Sequence, residues 1–307
     1  MRLTLRGLQA ALGLVWLLDA ILQFQPAMFT RSFPDQILRP AAQGNPAWVA
    51  GPVNWGATLV GQHVVLADAA FAIVQLVIAL AILWPRTTRL GLALSVPWAL
   101  AVWWLGEGLG GVLTGAPSAV AGAPGAVILY ALLAVLLWPE PFRPHGGSVA
   151  AASPLGPLAA RLAWVVLWAS LAYDTLLAAS RAGLAAQVAG QGAGEPGWLA
   201  AIDRAAGRQL GAHDAAVSVV LAVMFAVIAV AVFIPAAARP VLGVAIVLSL
   251  AIWLVGQNLG GIFTGQGTDP NTGPLLALLA LAYWPRRPRE HPLPADGRPA
   301  LALPARR

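Results

Sequence analysis

Eight stretches of the sequence are almost wholly apolar, and they constrain the fold more than any other feature. They cover residues 6–27, 62–84, 89–106, 120–138, 159–181, 213–234, 240–257 and 270–284. Most approach the roughly 20 residues that a helix needs to cross a hydrocarbon layer of about 30 Å. Because backbone polar groups in lipid must be paired within the segment, spans of this kind form helices. The pattern predicts an all-α polytopic membrane protein with eight transmembrane helices.

The composition excludes several classes of protein. Only 10% of the 307 residues are charged and 59% are hydrophobic, whereas soluble domains carry roughly 25% charged residues. A water-soluble fold of this size is therefore excluded. Cysteine is absent, which excludes disulfides, iron–sulfur clusters, covalent c-type haem and thiol chemistry.

The net charge of +6 is a topology signal rather than an indication of nucleic-acid binding. All 18 basic residues are arginine. With the N-terminus inside, thirteen of them fall in cytoplasmic segments and five on the other face, and an excess of basic residues marks cytoplasmic loops. We expect a multi-pass protein of the cell (inner) membrane with both termini cytoplasmic, in contact with membrane lipids and not with nucleic acid.

The chain contains an internal repeat. Residues 44–115 align with 194–265 without a gap, and about 23 of the 72 columns are identical. Offsets of 155 and 146 residues extend the match to Asp19 and Asp174 and to Pro124 and Pro270. Since four crossings are an even number, both copies enter from the same side. The repeat predicts two parallel four-helix repeats related by a pseudo-two-fold axis along the membrane normal.

The repeat also divides the chain. We expect a first repeat at residues 1–140, a cytoplasmic linker at 141–158, a second repeat at 159–286 and a disordered cytoplasmic tail at 287–307. The two long outer loops, 28–61 and 182–212, carry Trp48, Trp55 and Trp198. Tryptophan favours the headgroup layer, so short interfacial helices are predicted there.

Ionisable groups inside a membrane are costly, and each is a functional hypothesis. They gather toward the predicted outer face in both repeats, together with the polar residues of the glycine-rich segments. The candidate ligand-binding residues are Asp19, His63, Asp68, Glu107, Thr114, Asp174, His213, Gln257, Asn258 and Thr264. Structural interpretations stand beside the functional one: an interfacial histidine that pairs with a headgroup, and an acid that fixes helix packing by a hydrogen bond or ion pair.

The best-matched segments, 106–115 and 256–265, share the pattern Gly-x-x-Leu-Gly-Gly-x-x-Thr-Gly. Their glycines predict a break in the helix, and the following stretch from Pro124 to Trp138 covers only about 21 Å at the helical rise. Backbone left unpaired at membrane depth must be buried in protein or line a watery cavity. We infer two outward-facing vestibules, each bounded by a glycine loop, a histidine and an acid. Tight turn geometry is the alternative explanation for the glycines.

Cofactor chemistry is weakly specified. His63 and Asp68 stand about 140° apart on a helix, so they do not share a face. A tetrahedral zinc site would need His63 with Asp19 and Glu107 from other helices, and no metal ligand is assigned. A b-type haem on His63 and His213 requires a site between the repeats, and a quinone is equally possible. The sequence contains no catalytic motif, so no catalytic residue is assigned and an enzyme is the less favoured interpretation.

The order of parts in each half resembles the DoxX/DoxD-like membrane proteins. The resemblance rests on residues 6–26 with the loop through Trp48, on Arg89 after the second helix, and on Gly106–Gly115 with its counterpart. It covers each half separately, as a tandem duplication. It implies a four-helix membrane subunit associated with quinone-linked or sulfur redox systems.

Three functions follow from these features. The first is a non-catalytic subunit that binds a small ligand, a quinone or a cofactor, and associates with a partner in a membrane redox complex. The second is a permease or channel for a small solute or ion. The third is an intramembrane lipid-modifying enzyme with Asp19 and His63 as acid and base.

Overall fold

The computed structural model describes residues 3–139, 147–181, 183–190 and 194–286. These residues form eleven α-helices and no β-strand beyond one isolated bridge between Gly147 and Arg286. The predicted tail at 287–307 and residues 141–146 of the predicted linker lie outside the described residues. The helices are α1 Leu5–Leu22, α2 Ala47–Gln62, α3 Val64–Leu83, α4 Thr88–Leu105, α5 Ala126–Leu136, α6 Gly156–Arg181, α7 Leu184–Gly190, α8 Gly197–Gly211, α9 Asp214–Ala231, α10 Ala238–Val255 and α11 Thr272–Ala282.

Each of the eight apolar stretches contains a helix. Six of these helices, α1, α3, α4, α6, α9 and α10, are long and apolar enough to cross a membrane. Their outward faces expose large apolar side chains such as Leu66, Val166 and Val247, at 66–72% of their full area. The all-helical chain therefore fits a multi-pass membrane protein, as predicted.

The remaining two apolar helices are shorter than their stretches. α5 and α11 have 11 residues each, or about 17 Å at the helical rise. The residues that precede them, up to Gly125 and Asn271, form loops instead of helix. α6, in contrast, begins at Gly156, three residues before the expected start of the second repeat.

The two long segments predicted to be outer loops, 28–61 and 182–212, contain helices. α2 occupies the first loop, and α7 and α8 occupy the second. Trp48, Trp55 and Trp198 on α2 and α8 are 54–63% exposed, which suits aromatic anchors in a headgroup layer.

The same helix pairs pack together in both halves. α1 packs on α3 and α6 packs on α9, while α4 packs on α5 and α10 on α11. The buried centre is rich in aromatic rings, with Trp16 against Tyr130 at 4.4 Å and Trp164 against Tyr283 at 4.6 Å between ring centroids. α11 also packs on α1 and α5, so helices from the two repeats share one core.

Hydrogen bonds fix which ends of the helices meet. The Gln9 side chain near the start of α1 donates to the Leu137 carbonyl just after α5, at 2.8 Å. Arg89 at the start of α4 donates to the Pro139 carbonyl at 3.0 Å. The Tyr283 hydroxyl just after α11 donates to the Ala160 carbonyl near the start of α6. Each short helix thus returns the chain to the end of the bundle where its repeat began.

The glycines end α4 and α10 by forming a left-handed turn. Leu109 and Gly110 have φ of 59° and 62°, and Leu259 and Gly260 have 55° and 76°. Only glycine fits at the second position, because a Cβ on Gly110 would lie 1.9 Å from the Pro124 carbonyl oxygen and one on Gly260 would lie 2.5 Å from the Pro270 carbonyl carbon. The turn therefore packs closely against the loop that precedes the short helix.

The substitution Gly110→Ala tests this contact. A left-handed alanine costs roughly 1–2 kcal/mol and overpacking adds roughly 1–3 kcal/mol, so the free energy of unfolding in mixed micelles should fall by at least about 2 kcal/mol. The control is Gly243→Ala on α10, where a Cβ meets nothing within 4 Å and where the first repeat has alanine, Ala93. The control should be neutral or slightly stabilising; an equal loss in both variants contradicts the proposed contact.

Candidate functional site

Two cavities lie where the glycine turns meet the loops before the short helices, the first with a mixed lining and the second with a mainly polar one. Cavity 1 has a volume of about 340 Å³ and is lined by the loop from Glu107 to Ala126 together with Asp269 and Asn271. Cavity 2 has a volume of about 260 Å³ and is lined by residues between Gln257 and Asn271. Asp269 and Asn271 line both cavities, so both glycine turns lie at one end of the bundle.

Glu107 and Gln257 perform the same structural task in the two repeats. The Glu107 carboxylate accepts a hydrogen bond from the Val127 amide in the first turn of α5, at 3.3 Å. Gln257 Oε1 accepts from the equivalent amide of Gly273 in α11, at 3.0 Å, and Gln257 Nε2 donates to the Thr272 hydroxyl at 2.7 Å. Each side chain thus caps a short helix and also lines a cavity.

Thr114 and Thr264 stabilise the glycine loops. Their hydroxyls donate to the carbonyls of Gly111 and Gly261 at 2.8 and 2.7 Å. Each hydroxyl also accepts a hydrogen bond from the backbone amide two residues later, at 3.4 and 3.1 Å. Both threonines line their cavities, and Asn258, which has a φ of 49°, lines cavity 2.

The sequence analysis did not identify Asp269 and Asn271 as candidate site residues. Asp269 accepts hydrogen bonds from the Asn271 amide at 2.7 Å and from the Thr268 hydroxyl at 2.9 Å. Burial nevertheless raises the pKa of Asp269 above its ordinary value, and the two hydrogen bonds only oppose this shift. The aligned residues of the first repeat are Ala123 and Gly125, so a search for recurring residues passes over both positions. The sequence feature that could have identified them is the run Thr268–Thr272, which is mostly polar although it adjoins an apolar stretch.

Asp19 lies next to cavity 1 rather than in its wall. Its side chain is buried on α1 and adjoins the Tyr130 hydroxyl on α5. Asp269 and Glu107 both act electrostatically on Asp19. The structure therefore places Asp19 beside Tyr130, outside the wall of cavity 1 that contains Glu107 and Asp269, and the described acids do not form a group close enough to hold a metal ion.

The remaining predicted site residues lie apart from the cavities. His63 and His213 are exposed at the α2–α3 and α8–α9 junctions, in the same backbone conformation with φ near −139°. Asp68 and Asp174 are buried on α3 and α6. None of the four lines either of the two cavities described above. The walls of these cavities contain Asp269 and Asn271 and not the histidine expected at each vestibule. Within the described ranges, no three histidine or acidic side chains are grouped closely enough to hold a metal ion.

Neither a family model, nor a curated protein, nor a solved structure matches this chain. The resemblance to DoxX/DoxD-like proteins therefore stays a prediction, and the cavities have to be interpreted from their own chemistry.

A second acidic pair lies at the outer-loop helix α8. Asp203 on α8 is buried, and its carboxyl adjoins that of Glu195 just before the helix. Burial, reinforced by the neighbouring Asp203, raises the pKa of Glu195 to about 7, and burial also raises the pKa of Asp203. The aligned residues in the first repeat are Asn45 and Val53, so the second repeat alone carries this pair.

This pair predicts a pH dependence of α8. An acid with a raised pKa in the folded state favours folding when it is protonated, so its contribution is present at low pH and is lost as the pH rises from about 4.5 to about 7. Hydrogen exchange of residues 197–211, corrected for the intrinsic rate, should therefore be slower at pH 5 than at pH 7.5. Glu195→Gln should reduce this difference, while Asp35→Asn at an exposed site should leave it intact. Equal protection at both pH values in the wild type contradicts the prediction.

Proposed function

We propose that the chain is a non-catalytic membrane protein with eight crossings that binds a small hydrophilic solute at its non-cytoplasmic end. The observation that carries the proposal is the pair of polar cavities built behind the two glycine turns. Helix caps and threonine hydrogen bonds fix the walls of both cavities. A ligand site with walls fixed in this way is largely preformed.

Eight crossings are supported by the path of the short helices. Each begins beside the capping residue that follows α4 or α10 and ends beside the start of its own repeat. The loop and the short helix together therefore return the chain across the bundle. A helix of about 17 Å suffices when the loop before it enters the bundle, where protein surrounds the irregular backbone.

Two observations support the parallel arrangement of the repeats. Both glycine loops share the walls formed by Asp269 and Asn271, so they lie at one end. Gly147, before the second repeat, pairs with Arg286 at the end of that repeat. Together with the arginine distribution, this arrangement supports cytoplasmic termini and cavities on the opposite face.

The chemistry of the cavities favours a small hydrophilic ligand. Their linings combine glycine backbone with the carboxyl, amide and hydroxyl groups of Glu107, Gln257, Asp269, Asn271 and Thr264. A quinone needs an extended apolar surface for its tail; the wall of cavity 2 is mainly polar, and that of cavity 1 has apolar patches interrupted by polar groups. The redox-subunit hypothesis with a quinone or haem therefore stays a prediction that no geometric observation favours.

A permease is the second candidate function. Its specific support is Asp19, a buried acid deeper in the bundle than Glu107 and within its electrostatic range, which extends polar chemistry inward from cavity 1. The lipid-modifying enzyme has no comparable support. Asp19 adjoins Tyr130 whereas His63 is exposed at a helix junction, and the described residues show no contact between these two.

The number of crossings can be tested with single cysteines, because the natural chain has none. We expect an impermeant maleimide to label Gln36→Cys and Gln266→Cys in intact spheroplasts, and Ser148→Cys only after permeabilisation. If α5 and α11 did not cross, residue 148 would be on the same side as residue 36 and residue 266 on the opposite side. Labelling of Ser148→Cys with protection of Gln266→Cys would establish six crossings and overturn the eight-crossing proposal.

Solute binding can be tested by thermal stabilisation of the purified protein with amines, amino acids, polyols and a short-chain quinone. We expect stabilisation by one or more hydrophilic members and not by the quinone. Ala121→Leu, which fills cavity 1, should weaken that effect at least about tenfold in Kd, or roughly 1.4 kcal/mol. The control Ala93→Leu enlarges an exposed side chain on α4. Stabilisation by the quinone alone favours the redox hypothesis, and an unchanged Kd in Ala121→Leu contradicts binding in cavity 1.

A further inference from the structure

Asn271 has a backbone conformation that normally requires glycine. It is the residue before α11, with φ of 62° and ψ of −171°, a combination that is almost confined to glycine and is unfavourable for other residues. The equivalent residue before α5 is Gly125, with φ of 98° and ψ of 143°. The second repeat therefore keeps a strained asparagine at a position where the first repeat has the residue that fits.

The start of the short helix does not require the Asn271 side chain. Its Oδ1 accepts a hydrogen bond from the Thr272 amide at 2.7 Å, yet Gln257 already bonds to the Thr272 hydroxyl and to the Gly273 amide. α5 begins after Gly125 without a side-chain cap from that residue, and glycine in place of asparagine before a helix costs little. A role in starting α11 therefore does not account for the strain, and such strain is concentrated at functional positions.

The Asn271 side chain belongs to the walls of both cavities. Its amide group lies against Gly122 of the first repeat, where a Cβ would be 2.3 Å from Oδ1 and 3.0 Å from Nδ2. This contact is made in one direction only, because the residue equivalent to Gly122 is Thr268 and the residue equivalent to Asn271 is Gly125. One asparagine thus forms a wall that the two repeats share.

Asn271 also carries a hydrogen-bond donor that the protein engages weakly. Since Oδ1 accepts from a backbone amide, Nδ2 is the group that faces the Ala121 carbonyl. The distance is 3.5 Å, beyond the usual range of about 2.7–3.2 Å. The hydroxyls of the two walls already donate to protein acceptors, namely those of Thr114, Ser118, Thr264 and Thr268. The Asn271 amide is therefore available to a ligand in the cavities.

We infer that Asn271 selects the solute, because its Nδ2 donates a hydrogen bond to an oxygen atom of the ligand, in a carbonyl or a hydroxyl group. This inference rests on the proposed function and names the ligand class. The strained backbone holds the amide against Gly122, so the donor is fixed before the ligand arrives and little ordering is needed on binding. A solute that carries only donor groups, such as an alkylammonium ion, gains nothing from this contact.

The experiment measures saturable thermal stabilisation of the full-length protein in detergent by four probes. Acetamide and glycine present carbonyl or carboxylate oxygens, erythritol presents hydroxyl oxygens, and methylammonium chloride presents donors alone. We expect saturable stabilisation by at least one oxygen-bearing probe and none by methylammonium. The carbonyl and hydroxyl probes are separate arms, and the arm that stabilises the protein identifies which oxygen is recognised.

Two variants of Asn271 test the residue in complementary ways. Asn271→Asp keeps the size of the side chain and the acceptor for the Thr272 amide but removes the donor, so the Kd of an oxygen-bearing probe should rise at least about fivefold. Asn271→Gly removes the side chain together with the strain, so the Kd should rise similarly while the Tm of the ligand-free protein equals or exceeds that of the wild type. The matched control is Asn54→Asp at an exposed position of α2, which should leave the Kd unchanged.

The outcomes separate this inference from the proposed function. If Asn271→Gly lowers the Tm and leaves the Kd unchanged, Asn271 has a structural role and the inference is wrong. If Asn271→Gly is too unstable to measure, the Kd of Asn271→Asp decides. If methylammonium alone binds, or if both variants bind an oxygen-bearing probe as the wild type does, solute binding survives and selection by Asn271 is overturned. If no solute binds at all, both proposals fail.

Discussion

The structure depends on the left-handed glycine turn that ends α4 and α10. This turn lets the chain reverse so closely that Gly110 touches the Pro124 carbonyl and Gly260 touches Pro270. The contact sets where α5 and α11 begin, and the residue before each turn then caps the short helix. Irregular backbone beside apolar helices is tolerated only where protein or a watery cavity surrounds it. The same glycine turn therefore determines both the start of the short helix and the position of the cavity.

A cap also allows the two repeats to differ in chemistry without a change of shape. Glu107 and Gln257 accept the same backbone hydrogen bond, but only Glu107 brings a carboxyl group. Replacement of one by the other conserves the start of the short helix and changes the charge of the cavity. Duplicated scaffolds with this property can keep both folds intact while a single copy carries the ionisable group.

The sequence predicted the helices well because their physical cause is local. Apolar length and glycine breaks depend on neighbouring residues, so all eight apolar stretches contain a helix and both α4 and α10 end at the glycines. The short lengths of α5 and α11 depend on contacts between Gly110 and Pro124 and between Gly260 and Pro270, and these involve residues about ten to fifteen positions apart. A hydropathy pattern does not reveal such contacts.

The site was predicted only in part because recurrence was used as the guide to function. His63 and His213 recur, but both stand at exposed junctions between two helices with nearly equal φ angles of −139° and −138°. Their recurrence is accounted for by that shared geometry. Asp269 and Asn271 do not recur, yet they line both cavities. In a duplicated chain, repeated residues identify the scaffold, and differences between the repeats are the better guide to specific chemistry.

A structural role accounts for some of the buried acidic residues at this end of the bundle but not for all of them. Asp19 beside Tyr130 is the arrangement expected of a carboxyl that fixes α1 against α5, and Glu107 has its cap to explain it. Asp269 has no such explanation, since its hydrogen bonds to Asn271 and Thr268 stay within its own loop. Burial of its carboxyl is unfavourable for folding, and it raises the pKa of Asp269 although both hydrogen bonds oppose the shift. A buried carboxyl that joins no elements together is better explained by what it binds than by what it stabilises.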